Sequence, residues 1–176
     1  MDSYEKLVSD IAALAKKVVA LCTENGYRVS TAESCTGGMI SAAITAVPGS
    51  SAVIELGVCS YSNRIKQQTL GVSADTLEKF SEYSTECADE MAQGVLRLSG
   101  AQFAVSTTGV AGPTGGTAEH PVGEVCIGVW DDRPWGNSYR FVFEYEKSRE
   151  HPPRDYIRAA AARRALALLI EQIESY

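Results

Sequence analysis

Thr31-Ala-Glu-Ser-Cys-Thr-Gly-Gly38 is the stretch whose reading decides the rest of the chain. Before it, Tyr27–Ala32 reads as a short strand; after it, Thr36–Val47 reads as a helix that Pro48-Gly49-Ser50-Ser51 ends. A small polar residue and two glycines between a strand and a helix expose a side chain at a sheet end. They also aim backbone N–H groups at whatever binds there. The functional reading makes Ser34 a nucleophile that attacks a carbonyl. The bland alternative is a glycine-containing turn capped by Thr36 or Ser34, and for eight residues taken alone it is the better one.

Outward from that stretch, apolar positions from Leu7 to Cys22 recur at helical spacing, and Asn25-Gly26 stops the helix over residues 4–25. Ala52–Tyr61 reads as a second strand, with Gly57 marking a bulge or a close approach of backbone. Ser62–Leu70 and Ser73–Phe80 read as short helices, and Ser84–Ser99 as an amphipathic one that ends at Gly100. Gln102–Thr108 is a third strand. Gly123–Trp130 and Ser138–Tyr145 form a hairpin around Asp131-Asp132-Arg133-Pro134. Pro152-Pro153 opens a last helix that runs to about Ser175. Helices interleave with strands and a hairpin closes the set. That order predicts an α/β fold: a three-layer α/β/α sandwich on a mixed sheet.

Length and composition narrow the classes. The 176 residues suffice for one domain, 1–176, with a sizeable core. No apolar run reaches the ~18 residues of a membrane span. Met-Asp-Ser-Tyr-Glu at the start lacks the basic and apolar regions of a leader, which predicts a cytoplasmic protein. Five cysteines at wide spacings, with no C-x-x-C, read as reduced thiols and not as a zinc ribbon. Two histidines, His120 and His151, give little material for a metal site or a histidine triad. A net charge of −6 argues against nucleic acid.

Few residues carry chemistry. A serine is weak until a base takes its proton. Lys66, just after the second strand, is the suggestive partner, and a lysine acts as base only when burial or a nearby cation lowers its pKa. From spacing alone Lys66 reads as a solvated helix lysine, and Tyr61 as a strand-end aromatic. Cys35 reads as a small buried neighbour of Ser34. Glu33 is a general acid, a contact to a ribose or a cationic ring, or a strand-end charge that orders the turn. The second glycine-rich segment, Thr108-Gly-Val-Ala-Gly112 and onward to Gly116, follows the third strand. It is neither a Walker loop nor a dinucleotide fingerprint. Two such loops after strands predict a small-molecule site beyond the carboxyl ends of the sheet. His120 reads as a loop residue, with a cleft-edge contact as the other reading. Arg154, Arg158, Arg163 and Arg164 read as solvating the last helix, with one of them a candidate for a phosphate.

The ordered set of motifs resembles the CinA C-terminal-domain family of nicotinamide-nucleotide amidohydrolases. The residues that carry the resemblance are Thr31–Gly38, Pro48-Gly-Ser-Ser51, Tyr61-Ser-Asn-x-x-Lys66, Leu70-Gly-Val72, Gly109-Val-Ala-Gly-Pro-Thr-Gly-Gly116 and Pro121-Val-Gly-Glu-Val125. The resemblance covers residues 5–175 and implies a stand-alone form of a domain that longer relatives join to another. It implies a five-stranded mixed sheet and hydrolysis of the carboxamide of nicotinamide mononucleotide to nicotinate mononucleotide and ammonia. It implies a serine amidase with Ser34 as nucleophile, Lys66 as base and Tyr61 beside it. Substrate contacts then fall to Glu33, Cys35, Thr36, Gly37, Gly38, Thr108, Gly109, Ala111 and Gly112. No metal, cofactor, nucleic acid or membrane is implied, and a homo-oligomer is. Ile54-Glu-Leu-Gly57 and His120-Pro121 depart from the family's usual residues and leave pocket shape open. The rivals are a nucleotide-binding module without turnover and a subunit that docks a partner enzyme.

Overall fold

The computed structural model describes residues 3–145 and 153–176. Helix α1 (Tyr4–Asn25) is capped by Ser3 and stopped by Gly26, whose left-handed turn lets Gly26 and Tyr27 donate to the last carbonyls. Those turn bonds hold Tyr27 out of the sheet, so strand β1 is Val29–Glu33 and not 27–32. Helix α2 is shorter than the expected 36–47, spanning Met39–Thr45, because Thr36 and Gly37 stay in the turn. A 3-10 turn, Ser50–Ala52, takes up the start of the expected strand, so β2 is Ile54–Cys59 and not 52–61. The caps Ser62, Ser73 and Ser84 open α3 (Asn63–Leu70), α4 (Ala74–Lys79) and α5 (Thr85–Ser99). Strand β3 (Phe103–Gly109) follows, then the hairpin of β4 (Glu124–Asp131) and β5 (Trp135–Val142).

The hairpin turn is tighter than the expected one. Asp131 pairs with Trp135 across Asp132-Arg133-Pro134, so β5 begins three residues early and ends at Val142. The last helix, α6, is Pro153–Glu174. Pro152 and His151 lie outside the described residues.

The sheet order is β2-β1-β3-β4-β5, with β2, β1 and β3 parallel and β4 and β5 antiparallel. Helices α1, α2 and α6 cover one face and α3, α4 and α5 the other, which makes the three-layer sandwich. The first face holds the larger core, with Phe103, Ile127, Ile157, Leu166 and Leu169. The second is built of small residues, Ala32 and Ala104 among them, so α5 lies close on the sheet. There a Cβ on Gly128 would fall 2.6 Å from the Ala88 carbonyl. The irregularity between β1 and β2 falls at Glu55, not at Gly57. Gly57 serves the other reading, close approach, since a Cβ there would meet Ser41 Oγ at 2.6 Å. Among the described residues no helix is long and apolar enough to cross a membrane.

After β1 the chain crosses one face to β2; after β2 it crosses the other face to β3, on the far side of β1. The connections therefore diverge at the carboxyl end of β1, the position where open α/β sheets form a crevice. The turn after β1 and the start of α3 after β2 both open into it.

Candidate active site

Ser34 is the first residue beyond β1. Its N–H donates to Thr107 O at 2.9 Å, which extends the β1–β3 ladder by one residue and sets the direction of its side chain. Side chains alternate along a strand, so Ser34 points away from α2 and toward the α3–α5 layer. Lys66 comes to meet it. Ser62 caps α3, Leu70 anchors its inner face, and Lys66, one turn before Leu70, shares that face. The result is a lysine only 1% exposed, with Nζ 3.4 Å from Ser34 Oγ. Burial lowers the Lys66 pKa below the ordinary lysine range; Cys87, Glu82, Cys35 and Tyr61 oppose the shift and do not cancel it.

Both residues line a cavity of about 120 Å³ with Cys35, Tyr61, Gly109 and Ala111. Asn63, Glu82, Tyr83 and Arg154 complete it. Larger grooves, of about 370–380 Å³, lie between α1 and α6 and beside the β4–β5 turn, away from the buried serine–lysine pair.

The remaining predicted site residues divide between wall and scaffold. Cys35 is 5% exposed and its thiol pKa is pushed up to about 12 by burial, with its own N–H, Lys66 and the Thr36 N–H opposing. Such a thiol is a poor nucleophile. Tyr61 is 63% exposed; its hydroxyl accepts from Arg154 Nη2 at 2.8 Å, and among the described residues no hydrogen bond joins it to Ser34 or Lys66. Glu33 is fully buried on the opposite face of β1. Its carboxylate accepts from Thr36 Oγ1 at 2.7 Å, Gly38 N at 3.0 Å, Ile40 N at 3.1 Å and Ser41 N at 2.9 Å. Of the readings open for it, the geometry carries the ordering of the turn and neither the general acid nor the contact to a ribose or cationic ring. Thr36 is likewise internal, with Oγ1 2.7 Å from Thr107 Oγ1.

Gly38 has a left-handed φ of 91° and sits behind the turn, as does Gly37, where a Cβ would meet Arg158. Thr108 Oγ1 donates to Glu82 O and so ties β3 to the loop before α5. A Cβ on Gly109 would overlap Glu124 O at 2.2 Å, so the cavity wall at this point requires glycine. Gly112 stands at the rim, where its carbonyl accepts from Arg154 Nη1 at 2.9 Å.

Of the turn's N–H groups, Ser34, Gly37 and Gly38 are taken up by Thr107 O, Ser34 O and Glu33. Those of Cys35 and Thr36 have no oxygen acceptor among the described residues and lie against the Cys35 sulfur.

The arginines of α6 do more than solvate it. Arg158 donates from Nε to Cys35 O at 3.2 Å and from Nη2 to Thr36 O at 2.9 Å, which pins the turn to the helix. Arg154 bridges Gly112 and Tyr61 across the cavity mouth. Their spacing, one turn apart at the start of α6, was the sequence signal for a shared face. His120 is held between Ser81 Oγ and Glu124 Oε1, each at 3.0 Å, and its ring lies tilted against that of Tyr83 at the cavity's edge. Glu82 and Tyr83 carried no sequence signal; a polar pair in a loop has no periodicity to read.

Comparison with known proteins agrees with this architecture. The model of the CinA C-terminal domain matches residues 11–173. The chain belongs to the CinA C-terminal domain family. It is 44% identical over 167 residues, 95% of its length, to a putative competence-damage inducible protein of Caldicellulosiruptor saccharolyticus. It is 52% identical over 116 residues, 66% of its length, to a CinA-like protein of Chlorobium limicola. It spans 39% and 27% of the lengths of these two CinA relatives. Among solved structures, the competence/damage inducible protein CihA of Agrobacterium tumefaciens superposes with a TM-score of 0.85 at 42% identity. That likeness covers 92% of this chain and 94% of the other.

Proposed function

We propose that the chain hydrolyses the carboxamide of nicotinamide mononucleotide, with Ser34 as nucleophile and Lys66 as general base. The carrying observation is the buried pair: Nζ of a 1% exposed lysine 3.4 Å from a serine hydroxyl at a sheet's carboxyl edge. Neutral Lys66 takes the Ser34 proton as Oγ attacks the amide carbon. The C–O bond forms, and the carbonyl electrons move to oxygen. The N–H groups of Cys35 and Thr36 are the donors for that oxyanion, replacing a sulfur that accepts weakly. The lysine proton passes to the leaving nitrogen, the C–N bond breaks and ammonia departs. Water then attacks the nicotinoyl ester, returns the proton to Ser34 and releases nicotinate mononucleotide.

The cavity is smaller than the ~300–1,000 Å³ of most ligand sites. It therefore takes the amide-bearing ring, and the ribose and phosphate extend over the rim toward Asn63, the glycine loop and Arg154. Tyr61, hydrogen-bonded to Arg154, is assigned to this rim and not to proton relay. A homo-oligomer remains part of this reading.

The test is ammonia release from nicotinamide mononucleotide. Ser34→Ala is expected to lose about 10³-fold or more in kcat, and a nicotinoyl ester on Ser34 is expected by mass spectrometry when the wild type is quenched during turnover. Cys35→Ala keeps both oxyanion donors and is expected to retain the greater part of the rate. Full activity in Ser34→Ala removes serine as nucleophile. A chain that binds the nucleotide without turnover is instead a binding module.

A further inference from the structure

Glu82 is the carboxylate that lines the cavity with Ser34 and Lys66. Glu33, the other acidic group near the turn, is turned to the opposite face and taken up by the start of α2. Glu82 lies close enough to Lys66 and Tyr83 to influence both. Among the described residues it makes no ion pair, and the cation at the rim, Arg154, is directed to Gly112 and Tyr61.

The loop that carries Glu82 is fixed on every side. Ser81 holds a left-handed φ of 73°, a conformation a non-glycine residue keeps only when its surroundings enforce it. Here Ser81 Oγ meets His120 Nε2 at 3.0 Å and accepts from Tyr83 N at 3.2 Å, and Ser81 O accepts from Ser84 Oγ at 2.9 Å. Thr108 Oγ1 holds the Glu82 carbonyl itself. Beside a lysine that must be neutral to take a proton, a carboxylate is a handicap, because it favours the ammonium form. Its use lies with what enters the cavity.

We infer that Glu82 is a specificity-determining residue, and that its carboxylate selects an amide whose ring carries a positive charge, such as an N-substituted pyridinium, over a neutral ring of the same shape. The inference rests on the amidase reading and assigns the charge preference within that site. The ring nitrogen's cation pairs with a carboxylate partly shielded from water, where such a pair is worth more than at an open surface. A neutral ring desolvates Glu82 without replacing the lost water.

The experiment compares nicotinamide mononucleotide with its reduced form. The two share carboxamide, ribose and phosphate, and only the first has a charged ring. The quantity read is the ratio of kcat/KM for the two substrates, wild type against Glu82→Gln, so that the intrinsic reactivity of each amide cancels. Glu82→Gln is expected to lower that ratio about tenfold, mainly through KM for the charged substrate, and Glu82→Asp, which keeps the charge, to restore most of it. An equal change for both substrates, or no change for either, overturns the assignment. If the wild type hydrolyses neither, the amidase reading fails by itself. The same ratio is then read from dissociation constants of the two nucleotides by calorimetry, where an unaltered ratio in Glu82→Gln overturns the selectivity.

Discussion

Lys66 is the residue on which stability and chemistry pull in opposite directions. Burial favours its neutral form, so its folded pKa is lowered while the unfolded chain keeps about 10.4. Between those two values the unfolded chain binds more protons, and stability rises with pH through that window. Lys66→Met keeps the volume and removes the buried amine. It is expected to raise stability at pH 7 by roughly 1–2 kcal/mol and to flatten this pH dependence in denaturant titrations. The same variant is expected to lose about 10²–10⁴-fold in ammonia release. In the wild type, kcat/KM is expected to climb with pH through a pKa below that of a free lysine; a rate flat from pH 5 to 10 speaks against Lys66 as base.

At the scale of the element, α2 depends on one side chain. The helix is only Met39–Thr45, and its cap residue Gly38 has no side chain to offer. Glu33 supplies the acceptor from the preceding strand, reaching the N–H groups of Gly38, Ile40 and Ser41. Glu33→Gln places an amide donor among those donors and is expected to destabilise the chain by about 2–4 kcal/mol in chemical denaturation. Hydrogen exchange is expected to quicken first in residues 38–41. A variant within 0.5 kcal/mol of wild type shows that the turn holds without the carboxylate. The elements were the most legible part of the sequence. Serine caps, glycine stops and period 3.6 placed α1, α3, α4 and α5 within a residue of the observed ends. The misplaced ends lie at β1, α2, β2 and β5, where turn bonds, a 3-10 turn and a three-residue hairpin overrode the apolar pattern.

Across the whole molecule, two buried carboxylates at opposite ends of β4 tie the layers together. Asp131, fully buried, accepts from Arg133 Nη2 and Gln172 Nε2, each at 2.7 Å, and so joins the hairpin to the end of α6. Glu124, 1% exposed, holds Arg140 at 2.7 Å and His120 at 3.0 Å, which joins β5 to the glycine loop. Burial alone raises the pKa of each. The hydrogen bonds, from Arg133 and Gln172 in one case and Arg140 and His120 in the other, outweigh it and leave both below the ordinary carboxylate range. A lowered folded pKa means stability that is present above the unfolded value near 4 and lost as pH falls through the folded value. Asp131→Asn is expected to lower stability at pH 7 by about 1–3 kcal/mol and to shrink the loss of melting temperature between pH 5 and pH 2. A pH profile parallel to wild type removes Asp131 from the acid response.

The sequence by itself determined the order of elements, the α/β class and the turn at Thr31–Gly38, because caps, stops and periodicity are local and need no partner. It also placed Ser34 and Lys66 at the ends of two strands. What their side chains face was decided only by the tertiary structure. Strand order puts β1 between β2 and β3, and the pleat then turns Glu33 toward α2 and Ser34 toward α3, two neighbours in sequence sent to opposite layers. Burial of Lys66, and the arrival of Glu82 from a loop and Arg154 from the start of α6 at the same small cavity, follow from packing between elements. No local pattern encodes such packing, because the groups that desolvate a lysine or aim a carboxylate lie tens of residues away along the chain.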